Sequence, residues 1–486
     1  MGNLIKNELI KIFRKKSTYI ILIIFFLFTI LTNIIYKVMD KLEVTVDYNL
    51  SDEYIEYVKE DIKNLNPQDN RQEYIQAKTE IDMYELYKKY DSDSWQAYII
   101  KRDFYNYIYN VNVYKYGSET DKSELTQNPE QILNNQIEKL NQGDWRKYVK
   151  EDIEELEKQV EMLKQSKSEL PADSSEITQI NDEIKNLELQ LELNHLRLDK
   201  DIPYGNDYLN QAIEVRRNSF VIDYDSDEQD MKYRDRVTRQ QEIAQNEKAK
   251  YIIENKEDIN NTANARGILL NVFDEFSIFI IIFIVMIAGG MISSEMEKGT
   301  IKMLLVKPHT RTKILASKYI VSILMCVFIL VVSVFFEVLV GGIMFGFDSL
   351  SIPGVVYNFN TNSIQTMNLF AYIALIGLNK LPMYLLLATV AFTASALFGN
   401  TVVAVVLPIL GNIGSAIVNQ LAVTFSVKQL AIYPTLNWDF TQFLFGSLPT
   451  YEFTSRGLAT IVCLIYWIIM IVISWCVFRK KEIKNI

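Results

Sequence analysis

The sequence predicts an all-α polytopic membrane protein: six transmembrane helices, with a large extracytoplasmic helical domain between the first and the second. Three observations lead there. Apolar runs long enough to cross a bilayer occupy 18–36 and recur through 267–478. Lys and Arg gather beside alternate ends of those runs. A polar stretch with helical periodicity, 41–266, carries most of the acidic residues.

The average composition hides this division. The 486 residues are 49% hydrophobic with a formal net charge of −10. Residues 41–266 hold 31 of the 50 Lys+Arg and 49 of the 60 Asp+Glu. The remainder is mildly basic, so the overall acidity reflects one insertion and implies no nucleic-acid partner. Cys326, Cys463 and Cys476 lie in apolar stretches as small filler and form no disulfide framework or metal knuckle. His195 and His309 are the only histidines and neither sits in HExxH, which excludes a zinc protease. No metal site is expected.

Residues 1–17 begin with LIKNELIKIFRKK, which sets Leu4, Ile5, Leu9, Ile12 and Phe13 at helical spacing with lysines between. This reads as a basic amphipathic helix on the inner membrane surface, or as a cytoplasmic extension of the first span. Residues 18–40 supply that span. A bilayer core needs roughly 20 apolar residues in a helix, and TYIILIIFFLFTILTNIIY meets the need without a small-residue cleavage site.

Residues 41–266 read as almost wholly helical. Val149, Ile153, Leu156, Val160 and Leu163 repeat at four- and three-residue steps. After a turn at 170–175, Ile177, Ile180, Ile184, Leu187, Leu191 and Leu198 do the same. The pattern predicts an antiparallel coiled-coil hairpin over about 146–200, with Asn194 as the polar seam residue that fixes register. Its arms are roughly 35 Å long at 1.5 Å per residue. Flanking helices are expected at 51–65, 70–90, 93–115, 207–220 and 227–259. The tyrosines at 84, 87, 98, 105, 107, 109, 114 and 116 either pack a helical base or offer an aromatic surface. The acidic run from Asp223 to Asp230 lacks the glycine and terminal Glu of an EF-hand; Asp227 reads as a helix cap.

Residues 267–478 hold spans two to six, near 272–292, 317–341, 381–398, 401–424 and 457–478. The apolar stretch 367–378 is read as a separate short surface helix, because Pro382 suits a first helical turn; the other reading is the outer end of one long fourth span. Fifteen basic residues flank one side of the six spans and four, Lys37, Lys380, Lys428 and Arg456, the other. The positive-inside rule then places both termini, including the tail 479–486, in the cytoplasm. Glu337 is the one carboxylate well inside a span, so Glu337 and Asn412 are candidates for a translocation path. The small residues about Gly411 and Gly414 suit close helix packing or a dimer seam.

Between spans two and three, the cytoplasmic segment 293–313 lies within GGMISSEMEKGTIKMLLVKPHTRTKILASKY. Glu295 and Glu297 end a membrane helix, Gly299 permits a turn and Thr300 can cap a short helix. Lys302 and Lys307 punctuate that helix, Pro308 ends it, and Arg311 opens the next. Such a segment can dock into a soluble partner; it can equally be a surface loop anchored by lysines.

The run resembles the signature region of type-2 ABC transporter permeases. The matching residues are Ser293, Ser294, Glu295, Glu297, Gly299, Thr300, Leu304, Leu305, Pro308, Arg311, Leu315 and Lys318. The six-span layout agrees; the large external insertion departs from the compact form of the family. The resemblance implies the permease subunit of an ATP-driven exporter, with 293–313 as a coupling helix, chiefly Glu295, Glu297, Lys298, Gly299, Thr300, Lys302, Lys307, Pro308 and Arg311. It implies cytoplasmic ATPase partners that bind ATP and Mg, and a second permease copy or homologous subunit in a membrane-lipid setting. An amphipathic peptide, antibiotic or lipid-like substrate is expected. No G-x-x-x-x-G-K-[ST] occurs, so the chain itself is not expected to hydrolyse ATP. The rival readings are a receptor or a cell-wall-reaching scaffold whose coiled coil binds a ligand without transport.

Overall fold

A computed structural model describes residues 1–43, 51–123, 125, 128–171, 176–219, 231–301 and 309–481. In chain order the helices are α1 (Gly2–Arg14), α2 (Lys16–Glu43), α3 (Asp52–Asp61), α4 (Arg71–Tyr87), α5 (Trp95–Tyr116), α6 (Glu119–Ser123), α7 (Pro129–Gln142), α8 (Trp145–Glu169), α9 (Glu176–Asp199), α10 (Tyr208–Asn218), α11 (Tyr233–Asn255), α12 (Ala265–Leu270), α13 (Val272–Glu275), α14 (Ser277–Glu297), α15 (Arg311–Phe345), α16 (Leu369–Phe398), α17 (Thr401–Thr424) and α18 (Arg456–Lys480). Among the described residues, six helices are long and apolar enough to cross a membrane: Lys16–Met39, Ser277–Glu297, Arg311–Phe345, Leu369–Phe398, Thr401–Thr424 and Arg456–Lys480.

The chain divides into two compact units. The first contains residues 1–39, 227–244 and 259–486. Its core is aromatic and aliphatic, with Phe25, Phe276, Phe283, Ile284, Ile329, Tyr384 and Phe392 buried in one cluster. Phe25 packs against Phe276 at 5.4 Å between ring centroids, joining the first and second spans. Local signals set the helix ends. Lys15 is extended and separates α1 from α2, and Thr18 Oγ1 donates to Ile12 O at 2.8 Å across the break. Gly399 adopts the left-handed conformation that ends α16, and the next residue, Asn400, caps α17 through Val403 N.

Two sequence expectations change here. The stretch 367–378 is no separate surface helix: α16 runs unbroken from Leu369 to Phe398 with Pro382 inside it. Proline forfeits one backbone hydrogen bond, a loss that helices in packed bundles tolerate. Lys380, the charge that in sequence interrupts the apolar run, is only 6% exposed. It pairs with Asp274 and, at 3.5 Å, with Asp439. The boundary at 266 also moves. Arg266 is buried and donates to Ile259 O and Pro353 O. Tyr233 donates to Pro449 O, and Gln240 accepts from Leu448 N. These bonds join 233–244 and 259–266 to the membrane unit.

Two features had no sequence signal that was read. An antiparallel hairpin, β1 (Gly354–Asn358) and β2 (Ser363–Met367), lies between α15 and α16 with Val356 opposite Gln365. After α17, short 3-10 turns over 428–446 fold around Asn437. Its amide donates to Ala431 O and Tyr433 O, and its Oδ1 accepts from Thr454.

The second unit contains residues 40–226 and 245–258. α8 and α9 run antiparallel, with Val160, Ile184 and Leu187 buried between them and Lys164–Glu188 at 2.7 Å along the seam. Asn194 is half-buried on α9. Residues 172–175 of the turn lie outside the described residues, as do the acidic run from Asp223 and the cap expected at Asp227. At the base, Asp152 accepts from Arg102 and from Tyr204 at 2.5 Å, and the Arg197 guanidinium stacks over Tyr204 at 4.4 Å. The tyrosines divide. Tyr84 is buried, and Tyr87, Tyr98 and Tyr107 pack against the core of the base. Tyr105 and Tyr114 stay exposed. α7 was not expected; its N-cap is Asn128 followed by Pro129.

Candidate functional site

The end of the membrane unit where α1 lies and α18 finishes gathers four charges. Glu8 lies on the inward face of α1, Glu295 in the last turn of α14 and Lys318 in the second turn of α15. The Lys318 side chain is 2% exposed and bonds Glu8 at 3.0 Å and Glu295 at 2.8 Å. Lys11, about half exposed, reaches the same two carboxylates at 2.8 and 3.0 Å. Two ammonium groups thus bridge two carboxylates, so no net charge is buried. Burial alone would raise Glu8, but Lys318 and Lys11 outweigh it and hold its carboxyl below the usual value. Burial would lower Lys11, and Glu8 and Glu295 together raise it instead.

Glu297, one residue pair further on, turns to a different helix. Its carboxylate accepts from Thr401 N at 2.7 Å and Thr401 Oγ1 at 2.8 Å. It therefore sits on the free N–H groups and positive dipole end of α17. Ser293 Oγ lies 2.9 Å from the same Thr401 hydroxyl, and Ser395 Oγ accepts from Ile292 N and Ser293 N. Lys298 is exposed, and Gly299 has φ +67°, where its lack of Cβ is needed. Thr300 Oγ1 contacts Glu295 O at 3.4 Å. The helix expected after it, with Lys302, Lys307 and Pro308, falls outside the described residues apart from buried Ile301.

The segment resumes at α15, capped by Thr310. Arg311 donates to Arg479 O at 3.0 Å and Lys481 O at 3.1 Å, at the end of α18. Lys481 Nζ in turn donates to Ala396 O and Leu397 O at the end of α16. The segment between Glu295 and Arg311 is therefore tied at its first end to α1, α15 and α17, and at its second end to α18. Glu295, Glu297 and Arg311 are engaged within the chain rather than projecting freely; Lys298 is exposed.

The two residues singled out for a translocation path lie apart in their bonding. Glu337 is fully buried on α15 and accepts from Asn33 of α2 at 3.0 Å. Asn412 is half-buried on α17. Sequence reasoning missed Glu8, Asn33 and Thr401, and gave Lys318 no partner. Glu8 carried a signal: it is the one acidic residue in 1–39, and it stands on the apolar side of a basic helix. Among the described residues, no group of three or more His, Cys, Asp or Glu is placed to hold a metal ion.

The family model described as "ABC-2 family transporter protein" matches residues 2–483. Two proteins of Bacillus subtilis are similar over part of the chain. "Uncharacterized protein YhcI" is 28% identical over 211 residues, 43% of this chain and 66% of that protein. "Uncharacterized membrane protein YdbK" is 28% identical over 200 residues, 41% of this chain and 76% of that protein. No solved structure matches. With a match across nearly the whole sequence and six apolar helices of spanning length, the chain is a multi-pass membrane protein that belongs to the ABC-2 family of transporter proteins.

Proposed function

We propose that this chain is the permease subunit of an ATP-driven exporter and that its charged end receives the motion of a separate ABC ATPase. The observation that carries the reading is the tethering of segment 298–310: Glu295, Glu297 and Arg311 each bond a different helix of the bundle. A push on the segment is thereby shared among α1, α15, α17 and α18. Exposed Lys298, beside the turn at half-buried Gly299, offers the partner a charged, turned surface. The basic end faces the cytoplasm, in keeping with the positive-inside bias, and residues 41–226 with 245–258 form an extracytoplasmic domain. Two permeases, or one with a related subunit, pair with two ATPases that bind ATP and Mg. The exported substrate is an amphipathic peptide, antibiotic or lipid-like molecule.

The test is reconstitution with the ATPase and measurement of substrate-stimulated hydrolysis. Replacing Glu295 and Glu297 with Ala is expected to abolish stimulation while the complex still co-purifies. Unchanged stimulation in the double variant would remove these residues from coupling.

A further inference from the structure

Glu337 and Asn33 face each other across the first and third spans, and both are fully buried. Asn33 Nδ2 donates to Glu337 Oε2 at 3.0 Å and to Thr29 O at 2.9 Å. That leaves one oxygen on each side chain, Asn33 Oδ1 and Glu337 Oε1, buried without a hydrogen-bond partner. Both orphans are acceptors, and they belong to two side chains already joined at their other atoms. Buried polar atoms are almost always satisfied, so a missing donor is implied, and a single proton supplies it.

We propose that Glu337 is a proton-binding site of the membrane domain: Oε1 carries a proton and donates it to Asn33 Oδ1, closing a two-bond acid–amide pair between α2 and α15. The proton satisfies both orphans and leaves no charge in the apolar core. Gly341 gives the carboxyl its place, since a Cβ there would lie 2.7 Å from Oε1. The charged and titratable groups around the pair are engaged elsewhere. On α2, Tyr36 donates to Glu275 of α13 at 2.6 Å, and Lys37 donates to Met344 O at 2.7 Å. On α12, Arg266 donates to Ile259 O and Pro353 O. Loss of the proton sets two acceptors and a charge face to face, so proton release is linked to α2 parting from α15.

The experiment is infrared difference spectroscopy on the purified full chain in lipid nanodiscs at neutral pH, comparing wild type with Glu337→Gln and Asn33→Leu. Wild type minus Glu337→Gln is expected to show a carboxylic-acid C=O band, and Asn33→Leu to keep that band at a shifted frequency because its acceptor is gone. The Gln variant retains both bonds through its amide, which preserves the fold. A difference spectrum showing carboxylate bands in place of the acid band would overturn the proposal. So would a carboxylate band that moves on sodium addition, which would assign a cation to the site. The readout needs neither an ATPase nor transport, so it stands or falls separately from the exporter reading.

Discussion

Replacing Lys318 with Met isolates the contribution of the buried charge cluster. Met fills much of the lysine stem's volume, so the change removes chiefly the ammonium. Lys318 is the buried cation of the four: its side chain is 2% exposed, against 47% for Lys11. Its loss leaves Glu8 and Glu295 together with only the half-exposed Lys11 between them. Breaking a buried ion pair from one side costs about 3–5 kcal/mol, because the other charge stays buried uncompensated. Lys11 still bonds both carboxylates, so the lower end of that range, about 3 kcal/mol, is expected. The assay is thermal stability of the purified chain in detergent, with hydrogen exchange in α1 as a local readout. Lys318→Met is expected to lower the melting temperature and free α1, and adding Glu8→Gln is expected to recover a large part of the loss. Wild-type stability in the single variant, or no recovery in the double, would refute a cooperative cluster.

Four further outcomes follow from the same geometry. Glu8 is held below its ordinary value of 4.5, so its contribution is present above that pH and is lost as pH falls through the depressed native value; Glu8→Gln should flatten this acid limb of the stability profile. Lys11 is raised above 10.5, so its share is lost only in strong alkali. Glu297→Ala removes the acceptor at the start of α17 and should speed amide exchange at Thr401, with exchange in α1 unchanged. A cysteine at exposed Met162 of α8 should react with an impermeant thiol reagent on intact cells; protection there until the membrane is opened would reverse the proposed orientation.

The spans were legible because an apolar helix of bilayer length writes itself into consecutive residues: the fifth, expected at 401–424, is observed as Thr401–Thr424. The turn at Gly299 was legible because a left-handed residue favours glycine. Pro382 misled because a proline reads as a helix start when its neighbour, Lys380, also looks unfit for a span. Asp274 and Asp439, distant in sequence, neutralise that lysine and keep the helix whole. The same limit applies to the site. The sequence marks Glu295 and Glu297 as a pair, yet they bond different helices, since their partners Lys318 and Thr401 are set by tertiary packing. Asn33 carried no signal of its own as one polar residue in an apolar run; its meaning comes from Glu337.

The central claim, that segment 298–310 of this chain meets an ATPase, is tested most directly at Lys298, which is exposed beside the Gly299 turn. A photo-crosslinking amino acid placed at 298 in the full chain, activated in native membranes, attaches whatever polypeptide lies against the segment, and mass spectrometry identifies it. The account predicts a crosslinked ABC ATPase bearing a phosphate-binding G-x-x-x-x-G-K-[ST] loop, with a yield that changes when nucleotide is added. Crosslinks to lipid alone, or to a polypeptide without a nucleotide-binding loop, would contradict it.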